Sequence, residues 1–180
     1  SFENRSPQET GTLDAGDATA ATSMPGWRVF TGDIDYMPNL GVIPFFGWSS
    51  AHGDWSLDLN GRFGPGGIEQ TFDTIPGTTY TVTFSMAGNP ELLPAVKTLQ
   101  VVADGSTPNA YAFDSTGKDI VNMGWIDQSY SFAASPTSTT PRFISLTTSI
   151  NGSFGPALDN VRVAASPVGA VPEPASLLLL

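Results

Sequence analysis

The 180-residue chain has no cysteine. That excludes a disulfide framework, a thiolate zinc site, an iron–sulfur cluster and a thiol nucleophile. Any metal must use oxygen ligands or the single His52, which makes Ca²⁺ the metal to consider. Basic residues are scarce: seven Lys and Arg face seventeen Asp and Glu, for a net charge of −10. Nucleic-acid binding relies on clustered cations that displace counterions, so no nucleic-acid partner is expected. Long apolar runs are also missing. The terminal Leu177–Leu180 falls far short of the about 20 apolar residues that a membrane helix needs, and the chain as it stands carries no such span. A lone histidine and the lack of a Gly-x-Ser-x-Gly elbow leave little for a Ser-His-Asp triad. Carboxylate pairs such as Asp33/Asp35 and Asp54/Asp58 are what Asp-rich surfaces carry by chance, so the chain reads as a non-enzyme.

What is present is turn punctuation. Nineteen Gly and fifteen Pro are spread along the chain without a period, which argues for many corners and against long helices. Between them lie runs of four to eight residues with strand alternation. Trp55, Leu57 and Leu59 alternate with Ser56, Asp58 and Asn60, predicting one core face and one polar face. Residues 67–74 and 79–86, joined by Pro76-Gly77, predict a hairpin. Further strands are expected over 26–32, 97–103, 109–113, 128–133, 142–149 and 157–163, whereas 13–23 reads as a surface loop. Strands in this number at intervals of about ten residues predict an all-β antiparallel sandwich or jelly roll, because one open sheet would leave long unpaired edges. The sandwich is assigned to 1–163 and a linker with a tail to 164–180. A start at Ser1-Phe2-Glu3, already strand-like, suggests a leader removed on export.

Two resemblances sharpen these expectations. Val171-Pro172-Glu173-Pro174-Ala175-Ser176 before the leucines resembles a PEP-CTERM sorting signal, without the basic end of that motif. It implies processing by an exosortase and retention at the cell surface or secretion. The body is similar to the choice-of-anchor C domain, a bacterial relative of the plant cell-wall family called domain of unknown function 642. The matching pieces include Ser56-Leu57-Asp58-Leu59-Asn60-Gly61, Pro76-Gly77-Thr78-Thr79-Tyr80, Ala87-Gly88-Asn89-Pro90, Met123-Gly124-Trp125 and Gly155-Pro156-Ala157-Leu158-Asp159-Asn160-Val161. The resemblance implies a galactose-binding-like jelly roll, non-catalytic, that binds or organises extracellular polysaccharide. The competing role is a structural subunit of an extracellular filament or matrix, built by strand or tail exchange between copies.

Sugar rings pack an apolar face on an aromatic plane while polar side chains take the hydroxyls. Tyr36, Trp48 and Trp125 are the aromatic candidates; Asp35, Asn89, Lys97 and Gln128 are the polar ones. Trp27 and Trp55 alternate with aliphatic residues and are expected in the core. Lys97 is expected to pair either with a ligand or, in a buried salt bridge, with Asp58. In galactose-binding-like modules the first and last strands run close together, so Glu3 and Asp159 are expected to share a structural Ca²⁺, with Asp54 in the His52-Gly53-Asp54 loop as third contributor.

Overall fold

In the computed structural model, which describes residues 11–16, 24–43, 46–149 and 151–166, the alternating runs form fifteen strands and no helix. They are β1 (Gly11–Asp14), β2 (Arg28–Thr31), β3 (Asp33–Pro38), β4 (Trp55–Asp58), β5 (Asn60–Gly61), β6 (Gly64–Pro65), β7 (Gly67–Glu69), β8 (Phe72–Asp73), β9 (Thr79–Gly88), β10 (Val96–Val102), β11 (Asn109–Asp114), β12 (Ile126–Ala133), β13 (Ser138–Thr139), β14 (Arg142–Ser145) and β15 (Pro156–Ala165). Pairing between these strands is antiparallel, in a six-stranded sheet β1-β3-β4-β15-β9-β12 and a five-stranded sheet β11-β10-β14-β7-β2. No helix among the described residues is long and apolar enough to cross a membrane. The calls on Glu3 and on the Val171–Leu180 tail lie outside the described residues.

Period-2 alternation decides which side chains meet between the sheets. On β9, Tyr80, Val82, Phe84 and Met86 are all buried; Leu57, Leu158 and Tyr36 join them from neighbouring strands. The opposing sheet supplies Ile68, Leu99, Val101, Tyr111 and Phe143. Phe84 meets Tyr111 and Phe143 edge-on, with ring centroids 5.2 Å apart in both pairs. These contacts tie the two sheets at their centre, each aromatic pair adding about 0.5–1.5 kcal/mol beyond the burial of its area. Trp27 and Trp55 are core residues, as their alternation predicts.

Three expectations fail for reasons of packing. Residues 67–74 and 79–86 do not form a hairpin: β7 belongs to the five-stranded sheet and β9 to the six-stranded one, so the Pro76-Gly77 turn carries the chain between layers. Ser56 and Asp58 do not face water, because all four residues of β4 are buried. Residues 39–43 and 46–54 fold back over the outer side of β4, where Trp48 bonds Ser56. Finally, the reading of 13–23 as loop misses β1, whose Leu13 is buried, and β3 at Asp33–Pro38 was not foreseen. Both strands carry carboxylates that a short-window pattern assigns to turns.

The interior also holds a polar knot. Asp58 Oδ1 accepts N–H bonds from Asn60 (2.9 Å) and Gly155 (2.8 Å), and Oδ2 accepts one from Asn89 Nδ2 (2.8 Å). Asn60 Nδ2 donates to the carbonyls of Thr147 and Gly152, both at 2.9 Å. Lys97, fully buried, donates from Nζ to the carbonyls of Leu92 (2.8 Å) and Phe154 (2.7 Å). Among the described residues it makes no direct ion pair with Asp58. Its stem runs beneath Gly88, where a methyl group would sit 2.5 Å from Lys97 Cγ. The knot thus joins the 89–95 and 151–155 loops to both sheets through the buried side chains of Asp58, Asn60, Asn89 and Lys97.

Candidate functional site

The residues expected to bind a ligand cluster instead as structural contacts. Residues 46–54 are held over the outer side of the six-stranded sheet by Trp48, which is fully buried and donates from Nε1 to Ser56 Oγ at 2.7 Å. Their backbone is locked at both ends: Trp48 N–H reaches Pro38 O and Asn39 N–H reaches Asp54 O. Gly47, at φ +105°, lies so close to Pro38 that a methyl group there would come within 2.9 Å of the Pro38 ring. Trp125, half-buried, donates from Nε1 to Ser49 O at 2.8 Å, and Ser49 N–H reaches Ile120 O, so two loops are stitched together.

Tyr36 and Trp48, expected as exposed sugar platforms, are therefore corrected to core residues with no accessible ring face. Tyr36 packs on Trp55 with centroids 4.9 Å apart. Asn89 is likewise corrected: it is buried and spends its amide on Asp58 and on Glu91 N–H. Asp35 is half-buried at the β1–β3 edge, where it accepts a 2.6 Å bond from the Thr12 hydroxyl. Burial pushes its carboxyl above the ordinary range, with Asp33 adding in the same direction against the Thr12 bond. Trp125 is pinned in a loop contact. Among the expected metal ligands, Asp159 is buried and Asp54 is exposed. Asp159 Oδ2 accepts the His52 N–H at 2.9 Å, so the His52-Gly53-Asp54 loop does lie against it. Among the described residues no group of three His, Asp or Glu side chains could hold a metal.

Where this cover ends, a cleft opens. Ser85 on β9 faces Asp127 of β12 on one side and Asp159 of β15 on the other. Its hydroxyl donates to Asp127 Oδ1 at 2.8 Å. One residue beyond, the ladder between β15 and β9 slips at a bulge between Asp159 and Arg162, and Asn160 takes a left-handed φ of +52°. Bulges re-aim side chains, and a non-glycine residue in this region is rare. Asn160 is fixed by its N–H on Asp159 Oδ1 (2.5 Å) and by Arg162 Nε on its Oδ1 (3.0 Å). The resulting cleft, about 460 Å³, is lined by Thr83, Asp127, Gln128, Ser129 and Asn160 together with Phe84.

That lining offers hydroxyls that both donate and accept, carboxamides that do the same at fixed geometry, and a carboxylate that only accepts. Such a set matches a ligand bearing several adjacent hydroxyls. Among the described residues that line the cleft, Asp127 is the one carboxylate. Sequence reading points to Gln128 but not to Thr83, Ser129 or Asp127, because Ser, Thr and Asp on the outward face of a strand look like ordinary solvated positions. The bulge at Asn160 leaves no local sequence signal.

The sequence profile of the family described as "Protein of unknown function (DUF642)" matches residues 1–164. No curated protein sequence matches the chain. Among solved structures, an arabinose-bound α-L-arabinofuranosidase (MgGH51) aligns with TM-score 0.53 at 13% identity, over 91% of this chain and 26% of that one. CBM35 from Paenibacillus barcinonensis aligns with TM-score 0.48 at 21% identity, over 86% and 98% of the two chains. TmCBM61, solved in complex with β-1,4-galactotriose, aligns with TM-score 0.49 at 16% identity, over 79% and 90%. At these identities the likeness is one of fold alone, an all-β sandwich.

Proposed function

The chain belongs to the DUF642 family, and from that premise we propose that it is a non-catalytic, extracellular module that binds polysaccharide through the cleft between β9, β12 and β15. The observation that carries this reading is the cleft itself: Thr83, Asp127 and Ser129 share one face of the β9–β12 ladder, with Gln128 and Asn160 completing a polar lining beside the bulge. Hydroxyl groups of a sugar chain exchange water for these partners without needing a charged ligand. Hydrogen bonds that involve the Asp127 carboxylate are the stronger ones.

Asp127→Ala is expected to lower affinity for a soluble polysaccharide by about tenfold or more, the value of one charge-assisted hydrogen bond, with a fall in melting temperature limited to the loss of one bond from the Ser85 hydroxyl, because the residue is exposed. Affinity electrophoresis through gels containing galactan, arabinan or xylan measures the first, and thermal melts the second. Unchanged migration of the variant in every gel that retards the wild type would remove the cleft from the binding mechanism.

The reading also includes a structural Ca²⁺ and surface sorting. The ion would be held by Glu3, Asp159 and Asp54, and what supports this is that the 52–54 loop lies against Asp159, through the His52 N–H. If the ion is there, EGTA lowers the melting temperature by about 5 °C or more. A melt that EGTA leaves unchanged takes Ca²⁺ out of the account. The Val171–Leu180 segment is proposed as the handle for exosortase-type processing, and intact mass of protein from its host reads where the chain is cut.

A further inference from the structure

Asparagine is followed by glycine at two places in the chain, Asn60-Gly61 and Asn151-Gly152. In such a pair the glycine nitrogen can attack the carboxamide carbon of the residue before it, because no Cβ crowds that nitrogen. Whether it does so depends on how firmly the fold holds the carboxamide and the peptide unit between the two residues. The two pairs are held in opposite ways.

Asn60 is fully buried in the polar knot. Its Nδ2 donates to the carbonyls of Thr147 and Gly152 and its Oδ1 accepts from the Ser145 hydroxyl, so the carboxamide has no freedom to swing toward its own backbone. Gly61 is walled in as well: a methyl group there would lie 2.7 Å from Asp33 Cγ. Asn151, in contrast, is exposed, and among the described residues no hydrogen bond holds its carboxamide or its carbonyl. The Gly152 N–H reaches Ser149 O at 3.4 Å, beyond the usual range of a hydrogen bond.

Firm anchoring begins one peptide unit later. Gly152 takes a left-handed φ of +84° and lies so close to the 62–64 turn that a methyl group would sit 2.8 Å from Arg62 O. Its carbonyl accepts from Asn60 Nδ2 at 2.9 Å. Position 152 therefore requires glycine, while the peptide unit in front of it is loosely held. The fold thus imposes a reactive pair at a place that it does not protect.

We propose that Asn151 is a site of spontaneous deamidation and isomerisation, and that the change is passed through Gly152 to the polar knot. The Gly152 nitrogen bonds to Asn151 Cγ; the proton it loses departs, by way of water, with the side-chain nitrogen as ammonia, leaving a cyclic imide. Water then opens the ring. Opening at Cγ gives aspartate, and opening at the main-chain carbonyl gives isoaspartate, whose main chain is longer by a methylene. Water is the only co-reactant. Either product adds a negative charge to a chain that already carries −10. Isoaspartate also lengthens the chain directly in front of the glycine whose carbonyl the buried Asn60 holds. That carbonyl is then drawn off Asn60, which leaves a buried donor short of a partner.

The test incubates the full chain at pH 8.5, folded and in urea, maps its peptides by mass spectrometry and reads isoaspartate with an isoaspartyl methyltransferase. In the folded protein Asn151 is expected to convert at least about tenfold faster than Asn60, because Asn60 reacts only when the knot opens. In urea the two are expected to convert at similar rates. Aged wild type is expected to melt about 3 °C below fresh protein, the effect of weakening one buried hydrogen bond. Asn151→Ser, which has no carboxamide, is expected to keep its melting temperature through the same incubation. If Asn151 of the folded protein converts no faster than Asn60, the site is wrong. If wild type converts at Asn151 and its melt does not move, the link to the knot is wrong.

Discussion

Asp58→Asn is expected to cost about 1–3 kcal/mol of unfolding free energy, read by urea denaturation, because it turns an N–H₂ toward buried donors that the Asp58 carboxyl accepts. Both carboxylate oxygens of Asp58 receive N–H donors, two on Oδ1 and one on Oδ2. An asparagine must aim its own N–H₂ at one of them. Turning the Asn89 amide to compensate would sacrifice its bond from Glu91 N–H. The penalty depends on pH. Burial pushes the Asp58 carboxyl from 3.8 to about 7, against the pull of its N–H donors and with the help of nearby Asp35. Between those values the folded state holds a proton that the unfolded state has released, so this group's contribution is full below the unfolded value and is lost as pH rises toward 7. Asp58→Asn lacks that titration. Its deficit relative to wild type is therefore expected to be larger at pH 5 than at pH 8. Equal deficits at the two pH values would show that Asp58 is ionised throughout, and a deficit under 1 kcal/mol would contradict the network.

Trp48→Ala is expected to remove about 3–5 kcal/mol and lower the melting temperature by about 10 °C, as for other buried aromatic truncations. The indole is fully buried and its Nε1 satisfies Ser56 Oγ, so the variant leaves both a cavity and an unpaired hydroxyl. The loss is expected to begin locally. With their anchor gone, residues 46–54 no longer seal the outer side of β4, and limited proteolysis is expected to cut there first. Had Trp48 been a sugar platform on the surface, the same substitution would weaken glycan retardation and leave the melt alone.

These two residues also show what could be read from the sequence. Trp48 is an aromatic residue in a Gly-flanked loop, the pattern of an exposed platform, and only the folding of that loop onto β4 makes it core. Asp58, Asn60 and Asn89 belong to the pieces that carry the family resemblance, and polar residues in such pieces invite a ligand role; here Asp58 and Asn60 serve the interior knot that fastens loops to sheets. Alternation found the strands 79–86 and 97–103 because each has one face in the core. It could not find β3, which is buried on nearly all positions yet carries two aspartates, nor tell that the Pro76-Gly77 turn crosses between sheets. The cleft was least legible. Its floor comes from three strands far apart in the chain, and its shape from a slip of register that leaves no mark on composition or spacing.

The central claim is that the cleft takes the sugar. Titrating isotopically labelled protein with galactan-, arabinan- and xylan-derived oligosaccharides, and following backbone amide shifts, tests it residue by residue. The amides of Thr83, Asp127, Gln128, Ser129 and Asn160 are expected to move together, saturating with one binding constant. An oligosaccharide that binds while leaving all five unmoved would contradict the account.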